Sequence, residues 1–301
     1  MAAQLSGDLA EVKSLVPIGT DPHNFEPSPA DIKLAGSANL ILMNGMNLEN
    51  WMYELLRKTI GITKIDTVTQ GIAPIFSGEY ATVVDPHAWL DPVLGKIYVK
   101  NIATSLSELM PEHSEIIQFN SKVLTEELQH IHEYSVEKLG SIPPEQRILI
   151  TSHDAFRYFS QRYQMEVKSV FPTSPSAELT IKDMADLSEI ISESGVRAIF
   201  PESTINPRLI AQIARDNGLI LGGKLYTDSL SEPDGEAGNY IGLLYHNIRE
   251  IYYGLIGEKS TSSLEHRQSS DEQSQFFPLI LVSLVLLGSF LIMWKGVNRN
   301  L

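Results

Sequence analysis

Three histidines and two carboxylates stand where a metal ion, rather than a hydrophobic core, explains them. His23 and His87 each follow an Asp-Pro pair, as Asp21-Pro22-His23 and Asp85-Pro86-His87. Proline fixes its own φ, so each histidine is set in a stiff loop. The second copy runs through Ala88-Trp89-Leu90 into Asp91-Pro92, a helix start. His153 ends an apolar run, Glu202 follows another, and Asp228 comes just after Leu225-Tyr226-Thr227. Ligands of open parallel sheets bind beyond the carboxyl ends of the strands, which is where these residues fall. Any one of these histidines alone would be a hydrogen-bonded loop residue. Three imidazoles and a carboxylate together complete the coordination of a divalent metal such as Zn²⁺, with bonds of about 2.0–2.2 Å.

The other histidines do not join them. His130 and His132 are two apart on a helical stretch and so face different ways. His113, His246 and His266 have no partner at ligand spacing, and all five are expected to be solvated or structural.

Alternating strands and helices must position the ligands. Glu11–Pro17 suggests a short strand, and Ser28-Pro29 caps a helix to about Ala38. Leu40–Met43 is an apolar strand, Leu48 to Ile60 a helix, and Lys64–Thr67 a further strand. A helix from Asp91-Pro92 reaches Leu109. After Pro111 a long helix extends to Leu139, with Leu124, Leu128, Ile131 and Ser135 on one stripe. Ser141-Ile142-Pro143-Pro144 stops it. The alternation then resumes: strand Arg147–Thr151, helix Ala155–Tyr163, strand Glu166–Val170, helix Ile181–Ser194, strand Ala198–Pro201, helix from Asn206-Pro207 to Gly218, strand Leu219–Leu221 and helix Tyr240–Leu255. The expected class is α/β, with two lobes of parallel sheet flanked by helices. Residues 1–111 form the first lobe, 112–141 a rigid spacer helix and 145–256 the second lobe. Trp89 and Leu90 are expected to pack the His87 loop onto its own lobe.

Composition narrows the function. The 301 residues carry a formal net charge of −14, which disfavours nucleic acid as a partner, since a phosphate backbone calls for clustered Lys and Arg. No cysteine is present, so disulfides, thiolate metal ligands, thiol catalysis and lipid attachment at a cysteine are excluded within these residues. Residues 257–275 are a polar tether. Phe276–Trp294 is uncharged and mostly apolar, long enough at about 1.5 Å per residue to cross about 30 Å of hydrocarbon. Lys295 and Arg299 follow it, so a C-terminal transmembrane helix is expected, with the main body outside the cytoplasm. Met1–Val12 lacks the features of a secretory signal, and the N-terminus is therefore expected to be truncated.

The segments Gly19-Thr20-Asp21-Pro22-His23, Asp85-Pro86-His87-Ala88-Trp89-Leu90, Thr151-Ser152-His153-Asp154-Ala155-Phe156 and Leu225-Tyr226-Thr227-Asp228-Ser229 occur in this order. Together with Pro201-Glu202-Ser203 and Asn239 to Asn247, they resemble the metal-specific substrate-binding proteins of bacterial zinc, manganese and iron ABC transporters, over about residues 5–256. The resemblance implies one metal ion between two lobes, with His23 and His87 from the first and His153 and Asp228 from the second. Glu202 then becomes a supporting polar residue. The family's first strand and helix are expected to be missing. No His-rich acidic loop precedes His87, and the C-terminal span is unusual for the family.

The implied function is non-enzymatic: high-affinity binding of one divalent ion, Zn²⁺, Mn²⁺ or Fe²⁺, and its delivery to a membrane permease by a monomer outside the cytoplasm. A metal-dependent hydrolase is the alternative, with Glu202 or Asp154 as base, although no His-Glu-x-x-His pattern is present. A surface adhesin is a third reading and does not exclude metal binding.

Overall fold

The computed structural model describes residues 1–52, 64–76, 83–171, 189, 191–192 and 195–258. Two parallel sheets carry it. In the first, β1 (Leu40–Met43) lies beside β2 (Lys64–Thr67), with Leu40 opposite Lys64. In the second, β3 (Ile148–His153), β4 (Glu166–Phe171), β5 (Ala198–Phe200) and β6 (Ile220–Leu221) run in the order β4-β3-β5-β6, every pair parallel. Parallel neighbours need crossovers, and helices Arg157–Tyr163 and Pro207–Asp216 supply those from β3 to β4 and from β5 to β6. All six residues of β3 are buried, which is why its sequence, Ile-Leu-Ile-Thr-Ser-His, opens as a continuous apolar run.

The helices given in full by the described residues are α1 (Ala2–Ser6), α2 (Pro29–Ser37), α3 (Pro92–Leu109), α4 (Ser114–Gly140), α5 (Arg157–Tyr163), α6 (Pro207–Asp216) and α7 (Tyr240–Ile256). Three start with the same device. Ser28, Asp91 and Asn206 each accept a backbone N–H of the first turn, and proline follows directly. The missing proline N–H would have had no partner there, so the pairing costs nothing.

At 27 residues, α4 is the longest helix described, about 40 Å at 1.5 Å per residue. Ile117, Leu124, Leu128, Ile131, Ser135 and Leu139 form its buried stripe. The buried Ser135 hydroxyl donates to the Ile131 carbonyl at 2.7 Å, which satisfies it inside the helix. This stripe packs with α1, α3, α5 and α7. One continuous core follows, joining Leu5, Val99, Leu128, Phe156, Phe200 and Ile251.

The structure departs from the sequence expectations at several places. Glu11–Pro17 is not a strand; it makes no ladder among the described residues, and Glu11 to Ser14 are exposed. The expected helices over 48–60 and 181–194 lie largely outside the described residues. The transmembrane helix must be corrected. No helix among the described residues is long and apolar enough to cross a membrane, and 276–294 lies outside them, as does 259–275 of the expected tether. A span needs about 20 consecutive apolar residues. The long α4 is charged along its open face, and α7, with 17 residues, carries Arg249 and Glu250. The fold class is α/β without that span.

Candidate metal centre

The repeated Asp-Pro-His motif builds the same turn twice. Asp21 Oδ1 accepts the His23 backbone N–H at 2.8 Å, and Asp85 Oδ1 accepts that of His87 at 2.9 Å. An aspartate bonding the N–H two residues on is a self-contained turn, and proline in the middle stiffens it. The second copy goes further: the same Asp85 oxygen meets His87 Nδ1 at 2.7 Å. That fixes the imidazole with Nε2 facing inward.

His153 closes β3 and is braced in the same way by Glu202. Glu202 accepts the His153 backbone N–H at 2.8 Å, contacts Nδ1 with its second oxygen, and takes the Thr227 hydroxyl at 2.8 Å on that same oxygen. A parallel bridge between Glu202 and Leu225 brings the Asp228 segment alongside. From α7, Asn247 pins this segment with two hydrogen bonds to Tyr226, at 2.9 and 2.7 Å.

The four residues that the family resemblance implied as ligands converge. One ligand atom each from His23, His87, His153 and Asp228 lies within 4.8 Å of the others. His87 Nε2 is 3.2 Å from His23 Nε2 and 3.3 Å from His153 Nε2. The Asp228 oxygens lie 3.5 Å from His87 Nε2 and 3.2 Å from His153 Nε2. Tetrahedral bonds of about 2.0–2.1 Å require ligand atoms about 3.3–3.4 Å apart. The spacing fits.

Electrostatics points the same way. The side chains of His87, His153 and Asp228 are fully buried, and neither Asp228 oxygen has a hydrogen-bond partner. A buried carboxylate without partners is costly unless positive charge faces it. Burial alone would raise the Asp228 pKa; His153 and His87 instead hold it well below the usual range. Burial also works against charge on His87, yet the facing carboxylates of Asp228 and Asp85 raise it to about 9. His153 is raised as well, against its burial, by Glu202 and Asp228. His23 differs: half-buried, it is lowered to about 4 by desolvation, with His87 and His153 adding to the effect.

Glu202 braces His153 rather than joining the four. Trp89 does not merely pack against its own part of the chain; its indole N–H donates to the Thr227 carbonyl at 2.8 Å, beside Asp228. Asp91 caps α3 and also pairs with Arg162 of α5. His132 contacts the Tyr163 hydroxyl. His246, expected to lack partners at ligand spacing, lies within reach of Glu236 and Glu250. Both its ring nitrogens are engaged, however, with Glu236 and the Lys224 carbonyl, and Arg249 bonds both carboxylates. That group is an ion-pair network around Arg249. Asp85 emerges as the partner of His87 only in the structure, although the Asp-Pro-His repeat carries its signal in the sequence.

A family profile described as the periplasmic zinc-uptake complex component A matches residues 1–254. The iron-binding protein YfeA of Yersinia pestis is 35% identical over 257 residues, 85% of this chain and 82% of that protein. The manganese-binding lipoprotein MntA of Bacillus subtilis (strain 168) is 32% identical over 263 residues, 84% of this chain and 85% of that one. Among solved structures, the periplasmic zinc binding protein TroA from Treponema pallidum superposes with a TM-score of 0.79 at 30% identity, covering 84% of this chain and 94% of that one. The profile match over most of its length, the relatives and the converged ligand set agree, and the chain belongs to the zinc-uptake component A family, the metal-specific substrate-binding proteins of ABC transporters.

Proposed function

We propose that His23, His87, His153 and Asp228 hold one divalent transition-metal ion as cargo, and that the protein delivers it from outside the cytoplasm to an ABC-transporter permease. The observation that carries this reading is the convergence of three imidazoles with a buried Asp228 carboxylate that accepts no hydrogen bond. Two ligands come from the part of the chain before residue 112 and two from the part after 145. We therefore take the site as lying between two lobes with α4 as the spacer.

The arrangement supports carriage rather than catalysis. Four protein ligands complete a tetrahedral shell, whereas a catalytic site keeps a position open for water. Glu202, one candidate base, is already committed to His153 and Thr227. The nitrogen-rich set favours Zn²⁺ over Mn²⁺ and Fe²⁺ at equal availability. Asp228 places one oxygen towards His87 and the other towards His153. Ligation through both would raise the coordination number for Mn²⁺ or Fe²⁺.

Elemental analysis of protein purified without added metal, followed by competition titration with Zn²⁺ and Mn²⁺, tests the reading. One ion per chain is expected. His87→Ala should abolish stoichiometric binding; one ion per chain at unchanged affinity in that variant refutes the assignment.

A further inference from the structure

The four ligands are not held alike. His87 and His153 are buried and braced by Asp85 and Glu202. The Asp228 segment is pinned by Asn247, by Trp89 and by the bridge to Glu202. The His87 side is in turn fixed from behind. The Tyr240 hydroxyl donates to the Trp89 carbonyl at 2.6 Å, that of Tyr158 to the Asp85 carbonyl at 3.0 Å, and Arg162 forks onto Asp91. These bonds already join distant parts of the chain around the site, so three ligands form one rigid frame.

His23 stands apart. It lies on a stretch, 11–28, with no helix or strand, and it is half-buried where the others are enclosed. Its loop meets the frame at a turn. The Gly19 backbone N–H donates to Ser229 Oγ at 2.7 Å, next to Asp228. The Ser229 hydroxyl donates to the Leu230 carbonyl at 2.9 Å, which leaves its lone pairs facing Gly19. Gly19 has φ +78°, and a Cβ added there would meet nothing within 4 Å, so glycine is needed for its backbone angle and not for space.

We propose that Ser229 is a positioning residue that latches the His23 loop over the bound ion, so that His23 is the first ligand to leave and the Gly19–Ser229 bond gates release. The reading rests on the four-ligand site proposed above. An exposed loop bonded to a rigid frame is the low-stability part of the site, and local opening there costs least. Opening must break the latch, so its loss should speed departure of the ion without changing the shell around it. A neutral hydrogen bond of this kind corresponds to roughly a threefold to tenfold change in rate.

The experiment loads the full chain with Zn²⁺ and follows transfer to a chromophoric chelator by stopped flow, for wild type, Ser229→Ala and Ser229→Thr. Visible absorption of the Co²⁺ forms reports the geometry of the shell. Faster release from Ser229→Ala, near-wild-type release from Ser229→Thr and one common Co²⁺ spectrum are expected. Unchanged release from Ser229→Ala overturns the latch, as does an altered Co²⁺ spectrum, which would place the effect on Asp228 itself. Failure of wild type to bind Zn²⁺ would instead sink the four-ligand site.

Discussion

Raising the pH from about 6 to 9 should tighten metal binding while loosening the metal-free fold. The lever is His87, whose pKa in the metal-free site is raised from 6.5 to about 9. At pH 7 its Nε2 carries a proton that an incoming ion must displace. Two pH units at about 1.4 kcal/mol each make that cost about 3 kcal/mol at neutral pH, falling to nothing above pH 9. His153 is shifted in the same direction. Two imidazolium rings with nitrogens 3.3 Å apart repel, so the second proton is held less firmly than the first. Binding at pH 7 should therefore release between one and two protons, and affinity should rise about tenfold per pH unit for each. His23, at about 4, is already neutral and contributes none. For folding the sign reverses. A histidine raised above its unfolded value stabilises the metal-free chain fully below pH 6.5, and that stabilisation is lost as pH climbs through about 9. Calorimetric titration in buffers of different ionisation enthalpy counts the protons, and chelator-treated denaturant melts follow the stability. Metal uptake at pH 7 with no net proton release would refute the argument.

Removing the braces tests the second ring of contacts. Glu202→Gln keeps the shape but weakens the charge facing His153, and should lower Zn²⁺ affinity about 10- to 100-fold while leaving one ion per chain. Competition titration reads it, and wild-type affinity would show that Glu202 serves the fold alone. A Cβ at Gly95 would fall on the Tyr240 hydroxyl that bonds Trp89. Gly95→Ala should thus cost about 1–3 kcal/mol of stability, measured by denaturant melts; an unchanged midpoint would mean that α3 and α7 yield freely. Metal removal should lower the melting temperature by mass action, and the drop should vanish in His87→Ala; a drop that persists in the variant would place the stabilising ion elsewhere.

The legible parts of the fold are those written in local chemistry. Cap-then-proline pairs locate α2, α3 and α6, and the helical period of Leu124, Leu128 and Ile131 locates α4. Glu11–Pro17 has the composition of a strand and is not one, because a strand exists only through a partner and its residues give no sign that none is near. The expected terminal span lies outside the described residues, and no helix among them is long and apolar enough to cross a membrane.

Local sequence singled out His23 and His87, since Asp-Pro-His is a turn whose backbone bonds lie within three residues and whose histidine has few other uses, while His153 and Asp228 were set apart only by resemblance to the family's motifs. It also settled the α/β class, through periodicity. The division of labour among the site residues rests on long-range packing. Asp228 and Glu202 are both acidic residues following strands, and nothing local separates them. What separates them is that Glu202 is consumed by His153 and Thr227, whereas Asp228 is left buried with bare oxygens. The unequal hold on the ligands is tertiary as well, because it depends on Trp89 reaching Thr227 and on Gly19 reaching Ser229, contacts 138 and 210 residues apart in the chain. Pairings at that separation are fixed by packing of the whole core and leave no trace in local sequence.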